Sequence, residues 1–380
     1  MTAYLDHASG WPLSSAVRAA MTRWTEHVGS PGSLHEAARG PAEAVAAARD
    51  AVAALVGWPT DTVIFTAGAT EARNLALKGG LAARRADLTV IVADPLAHAS
   101  TLAVARSLTR HGGELRLVAV DGDGDIAPSV LASAAGGADI VVVTHGQAEV
   151  GSIRDARALV AAARGAAPGA LVILDAEETA GLLPLDDGLG ADLVAIGGRT
   201  LGGPAWAGAL LVRPGTLLSP VIEGGLEEGG KRGGPHAVPA IAGLGVAARE
   251  ASAGMGVRVA RMRVASHSLA AGLLRVEGTR LNGPPPDRRL PGHVQVSAVG
   301  VDGEALALAM AARGVAVSPG SACTSGAGKA SPVLEAMGLD EEIARSAVLL
   351  TAGPDTTADE VERAVTAFGE AVGILRGMAP

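Results

Sequence analysis

Apolar positions along this chain follow two alternating periods. Short runs of Val, Ile, Leu and Ala, bounded by Gly, Pro or Asp, predict buried strands at Thr62–Thr66, Thr89–Ala93, Leu115–Val120, Asp139–Val143 and Leu171–Leu174. Between them, apolar residues recur at helical spacing over Glu71–Ala83, Ala99–Arg110, Pro128–Ala135 and Asp155–Arg164. Strands separated by helices of this length predict βαβ units, a parallel sheet and an α/β fold class. Ligands in such sheets sit at the carboxyl ends of the strands. Ala67–Thr70, His98, Gln147–Glu149, Asp175 and Arg199–Thr200 all fall at such ends.

The flanking regions read differently. Tyr4–Leu13 predicts an extended arm, Ser14–Val28 and Pro41–Val56 predict helices, and Gly29–His35 a loop. Asp192–Arg213 predicts two buried strands, Asp192–Ile196 and Ala207–Arg213. The loop joining them carries Gly197, Gly198, Gly202, Gly203 and Pro204. Glycine at that density implies either close approach of the backbone to something or tight turns. An amphipathic helix over Ala237–Val276 is long enough to bridge two lobes. Beyond the Pro-rich linker Asn282–Arg289 comes a smaller pattern: strand His293–Val299, helix Gly303–Ala312, strand Val315–Ser318, helix Ser331–Met337, strand Ala347–Thr351 and helix Ala358–Arg376. The expected division is a large α/β domain over 14–255 and a small α+β domain made from 1–13 and 256–380.

Composition narrows the function classes. At 380 residues and 48% hydrophobic content the chain builds a large core, and with 2% aromatics that core is mainly aliphatic. A net charge of −8 argues against nucleic acid as the main partner. No apolar run reaches the roughly 18 residues that span a bilayer, and the N-terminus, lacking a basic region and an apolar core, does not read as a signal peptide. Cys323 is the sole cysteine, so no internal disulfide forms, and the expected compartment is the cytoplasm. No metal site is expected.

Four stretches carry candidate chemistry. Ala67–Thr70 enters a helix whose free N–H groups suit a phosphate, with Ala69 and Thr70 at its start; Thr is also an ordinary helix cap. His98 follows a strand, where imidazole serves either structure or proton transfer. LDAEETAG places Asp175, Glu177 and Glu178 at a strand end, where Asp is also a common turn residue. SPGSACTSG, Ser318–Gly326, sets Cys323 in a Gly/Ser loop, where a thiol is either a reactive thiolate or a small buried hydrophobe.

Taken together, YLDHAS, GSPGSLH, IFTAGATEARN, LDAEETAG, the Asp192–Arg213 hairpin, EEGGKRGG, SPGSACTSG and VLEAMGLDEE resemble the cysteine desulfurases, a branch of the class V aminotransferases, over nearly the whole chain. The resemblance implies the type I fold of pyridoxal phosphate (PLP) enzymes. It implies that Ala69 and Thr70 face the cofactor phosphate, His98 stacks on the ring, and Asp175 pairs with the ring nitrogen. It also implies that Cys323 takes sulfur from substrate as a persulfide. The departures from the family pattern cluster at the cofactor. The family lysine matches Thr200, and its neighbouring Ser and His match Gly197 and Arg199. Its Gln matches Glu178, an Asn matches Ala148, a Thr lent by the neighbouring subunit matches Pro235, and the Arg that holds substrate matches Leu349. Only Lys78, Lys231 and Lys329 remain in the chain, and Lys231 is the candidate substitute.

Three functions follow as expectations. The first is a degenerate desulfurase relative with no covalent cofactor, acting as a scaffold, regulator or persulfide carrier through Cys323, with PLP bound non-covalently if at all. The second is a working PLP-dependent desulfurase or lyase with a lysine-free site. The third is a re-used pocket in which Arg199 clamps a different anion. The expected partners are a second copy of the chain and a sulfur-acceptor protein. Cys323 is expected to be exposed, and Arg199 to pair with Asp175 and Glu178, since each charge is costly to bury alone.

Overall fold

The computed structural model describes residues 2–84, 89–319 and 330–378. Strand β1 (Ala3–Tyr4) opens the chain. Strands β2 (Val63–Thr66), β3 (Val90–Ala93), β4 (Glu114–Leu117), β5 (Ile140–Thr144), β6 (Leu171–Asp175), β7 (Leu193–Gly197) and β8 (Gly208–Val212) form one sheet in the order β2-β8-β7-β6-β5-β3-β4. Every residue of β5 to β8 is buried, as their aliphatic runs require in a sheet covered on both faces.

The sheet is parallel except at β8, which runs antiparallel to both β7 and β2. Thr62–Thr66, read from the alternation as one of the parallel strands, therefore has an antiparallel neighbour. The loop after β7 is too short for a crossover, so β8 folds straight back between β7 and β2.

Two helix boundaries also shift. The second helix begins at Glu36, five residues before Pro41, because EAARG continues the helical register backwards. The helix after β2 begins at Ala69, and a π turn over Leu75–Gly79 interrupts it.

Strands β9 (Thr279–Leu281), β10 (His293–Ala298), β11 (Val315–Ala316) and β12 (Ala347–Thr351) follow, and the helix Ala358–Met378 comes after β12. β10 lies between β9 and β12, antiparallel to both, and β11 pairs with β1 in parallel. The extended arm thus begins as a strand against the far end of the chain.

The helix Val238–Leu273 serves two cores. Its first half, including Ile241, Leu244 and Ala248, packs with Val17, Val52 and Ile196. Its second half, including Leu269 and Leu273, packs with Val296, Leu350 and Phe368.

Two buried polar contacts tie these layers together. Arg154, fully buried, donates to both oxygens of Asp94 at 2.9 and 3.1 Å, and Thr144 Oγ1 donates to Asp94 at 3.0 Å. This joins the carboxyl ends of β3 and β5. At the junction with the second core, Glu149 Oε1 accepts from Gln295 Nε2 at 2.7 Å and from Ser331 Oγ at 2.5 Å.

Both contacts generate predictions. Asp94→Ala leaves the Arg154 cation buried without its partner, and urea titration should show a loss of about 3–5 kcal/mol. Burial raises the Glu149 carboxyl to about 7, against the lowering effect of its two hydrogen bonds. The contribution of a group raised on folding is complete below its unfolded pKa and is lost as pH rises through the folded value. Wild type should therefore lose stability between about pH 5 and about pH 8 at this site. Glu149→Gln keeps a side-chain acceptor and cannot ionise, so its melting temperature should fall less over that range. Parallel pH profiles would refute the assignment.

Candidate functional site

The carboxyl ends of β2, β3, β6 and β7 converge on one side of the sheet. The glycine-dense turn after β7 is a close approach of the chain to itself. A Cβ on Gly198 would lie 2.4 Å from the Pro204 carbonyl oxygen, and one on Gly208 would lie 2.7 Å from the backbone of Gly68. Gly202 ends the short helix Gly198–Leu201 at φ 87°, a left-handed conformation that glycine adopts without strain. Close contact and tight turning thus account for the same loop. They hold β8 against the β2 turn and present Arg199 and Thr200 to the carboxylates after β6.

Five charged side chains meet there. Arg73 Nε donates to Asp175 Oδ2 at 2.7 Å and Nη2 to Oδ1 at 3.0 Å; Nη2 also donates to Glu177 Oε2 at 2.6 Å. Arg199 Nη2 donates to Glu178 Oε1 at 2.7 Å and lies 3.1 Å from Glu177 Oε1, which Nε reaches at 3.2 Å. Glu177 is therefore the bridge between two guanidiniums. Thr200 Oγ1 donates to the backbone carbonyl of Glu177. The anticipated contact of Arg199 with Glu178 is present, but Asp175 is paired with Arg73. Both oxygens of Asp175 are already engaged in the Arg73 fork, and Arg199 turns to Glu177 instead.

The two neighbouring glutamates respond oppositely to this environment. Burial would raise the Glu177 carboxyl, but Arg199 and Arg73 outweigh it and hold the group at about 2. Glu178 accepts from Arg199, and burial, reinforced by the Glu177 charge, leaves its carboxyl raised. Three carboxylates face two guanidiniums, and Arg199 is committed to two of them. This is a poor clamp for a further anion.

The other sequence candidates take definite places. Ala69 is buried and Thr70 is exposed. Ala67 N–H donates to Glu71 Oε2 at 2.7 Å, while Glu71 Oε1 accepts from Arg232 at 2.9 Å, so the turn supplies its own anion. His98 caps the helix Ala99–Thr109, its Nδ1 accepting from Ser100 N–H at 3.1 Å. Burial and then the Arg73 charge hold its imidazole below the ordinary value. Cys323 lies outside the described residues. Among the described residues, no group of three or more His, Cys, Asp or Glu is arranged to hold a metal ion. No helix there is long and apolar enough to cross a membrane.

Arg73 escaped the sequence reading, although its signal was present. Ala69, Ala72, Arg73 and Ala76 stand at i, i+3, i+4 and i+7, so the arginine occupies the apolar face of its helix. A cation on a buried face requires a buried acid.

Comparison with known proteins agrees with this architecture. The family description "Aminotransferase class-V" matches residues 3–363. The chain is 33% identical over 380 residues to cysteine desulfurase IscS 1 of Archaeoglobus fulgidus, covering 99% of this chain and 98% of that protein. It is 32% identical over 381 residues to cysteine desulfurase IscS of Dictyoglomus turgidum, covering 99% and 96%. A solved NifS-like protein superposes with a TM-score of 0.92 at 25% identity, covering 99% of this chain and 100% of that one. The mostly parallel sheet, the returning β8 and the second core are those of the type I PLP fold, and the chain belongs to the class V aminotransferase family.

Proposed function

We propose that this protein is a sulfur-transfer member of the cysteine desulfurase group that forms no PLP aldimine and carries sulfur on Cys323. One observation carries the reading: at position 200, where the resemblance places the aldimine lysine, there is a threonine whose hydroxyl is held by the Glu177 carbonyl. An aldimine needs a primary amine at the carbonyl carbon, and no other group at this place supplies one. Of the remaining lysines, Lys78 lies in the π turn and Lys231 ends the Glu227–Gly230 turn; Lys329 lies outside the described residues. The residues present therefore do not fit covalently held PLP.

Persulfide carriage needs no cofactor. The Cys323 thiolate attacks the outer sulfur of a donor persulfide. A new S–S bond forms, the donor's S–S bond breaks, and the donor leaves as a thiolate, so the negative charge passes from Cys323 to the donor. The sulfane sulfur moves without net oxidation or reduction, and an acceptor thiolate removes it by the same exchange.

The reading includes a cytoplasmic homodimer. Leu34, Val28, Leu217 and Leu226 are exposed, and Leu226 adjoins the Glu227–Pro235 loop that crosses to the partner in the resembling family. It also keeps the division into a 14–255 domain and a small domain made from 1–13 and 256–380.

The purified protein should show no visible aldimine absorbance with added PLP, and borohydride should fix no adduct. After incubation with glutathione persulfide, alkylation and mass spectrometry should locate one extra sulfur on Cys323, and Cys323→Ser should take none. A borohydride-fixed adduct on Lys231 would restore the PLP-enzyme reading. An unmodified Cys323 would end the carrier role.

A further inference from the structure

We propose that the chain carries a built-in occupant in place of the cofactor: Arg73 serves as the permanent cation of Asp175, and Glu177 locks it to Arg199. The pocket is then closed by the protein's own side chains, beyond the loss of one lysine. The inference rests on the reading that position 200 forms no aldimine, and goes further by saying that restoring the amine alone will not reopen the site.

The first ground is stoichiometric. Asp175 has two carboxylate oxygens, and Arg73 engages both in a fork at 2.7 and 3.0 Å. A bidentate guanidinium is among the strongest partners a carboxylate has in a protein, and it presents no face to a ring nitrogen. Asp175 is 4% exposed, and Arg73, Glu177 and Glu178 are 3, 5 and 6% exposed. No face of the carboxylate is left open for a second cation.

The second ground is steric, and it pairs two positions. A Cβ added to Gly197 would lie 2.8 Å from Glu177 Oε1 and 3.2 Å from its Cγ and Cδ. The glutamate side chain thus occupies the space that a side chain at 197 would fill. Gly197 and Glu177 are complementary: glycine clears the space, and the glutamate fills it with the charge that Arg73 and Arg199 both require.

The third ground is electrostatic. A phosphorylated cofactor brings added negative charge into a site where three carboxylates already face two guanidiniums. The N–H of Ala67, at the turn that the resemblance assigns to phosphate, is already bound by Glu71.

The test restores the lysine with and without the occupant. Thr200→Lys, mixed with excess PLP, should gain no visible aldimine absorbance and no borohydride-fixed mass. Thr200→Lys combined with Arg73→Ser and Glu177→Ala should gain both, with one cofactor per chain. Circular dichroism and thermal melting confirm that each variant is folded. Stoichiometric aldimine in Thr200→Lys alone would overturn the inference while leaving the lysine-based reading of the wild type intact. A folded triple variant that takes up no PLP would overturn it as well. Should the triple variant fail to fold, the wild type decides the matter. Its melting temperature should be unmoved by PLP, and a rise that saturates with PLP concentration would show a pocket open to the cofactor. An adduct on a wild-type lysine would sink the functional reading separately.

Discussion

Burying a guanidinium is tolerable only where carboxylates meet it, and much of the polar structure at the strand ends depends on that constraint. Arg73 sits on the inward face of the helix after β2 and is paired from β6 with Asp175 and Glu177 through Nε and Nη2, while its buried Nη1 has no hydrogen-bond partner. Arg154 repeats the arrangement one strand pair away, taking Asp94 from the end of β3. The carboxyl edge of the sheet is thus fastened by two Arg–carboxylate forks, each linking segments distant in sequence. Open α/β sheets bind ligands in the crevice at this edge. Here the charges that line it are spent on one another.

The environment, rather than residue type, then sets the chemistry of each group. Glu177 and Glu178 are adjacent and almost equally buried, yet Glu177 meets two guanidiniums and stays ionised, while Glu178 meets one and is raised. His98 shares the neighbourhood, and burial, then the Arg73 charge, hold its imidazole below the ordinary value. A group suited to proton transfer is present, but the charged groups around it are paired with one another. That separation of fold from site is general: membership in a family follows from the whole chain, whereas activity follows from a few side chains.

The second core is coupled to this edge through the chain just past β5. The loop containing Glu149 is hydrogen-bonded to β10 and to the helix start at Ser331. The helix Val238–Leu273 contributes to both cores along its length. The packing of the small core is therefore continuous with the polar layer in which the candidate site lies.

Most of the fold was legible in the sequence because buried strands and amphipathic helices leave periodic traces in a single segment. The runs at β5, β6, β7 and β12, the hairpin and the long helix are local facts of that kind. So was the threonine at position 200, a matter of one letter in the hairpin motif. Charge pairing is different, because it depends on which segments the sheet order brings together. Asp175 ends β6 and Arg199 follows the neighbouring β7, so the two looked like partners. The structure instead delivers Arg73 to Asp175 across 102 positions of sequence, through a helix that packs onto the same strand ends. An arginine on an apolar helical face announces that an acid must lie nearby. Which acid answers is settled by distance and burial in three dimensions, and only the tertiary structure fixes those.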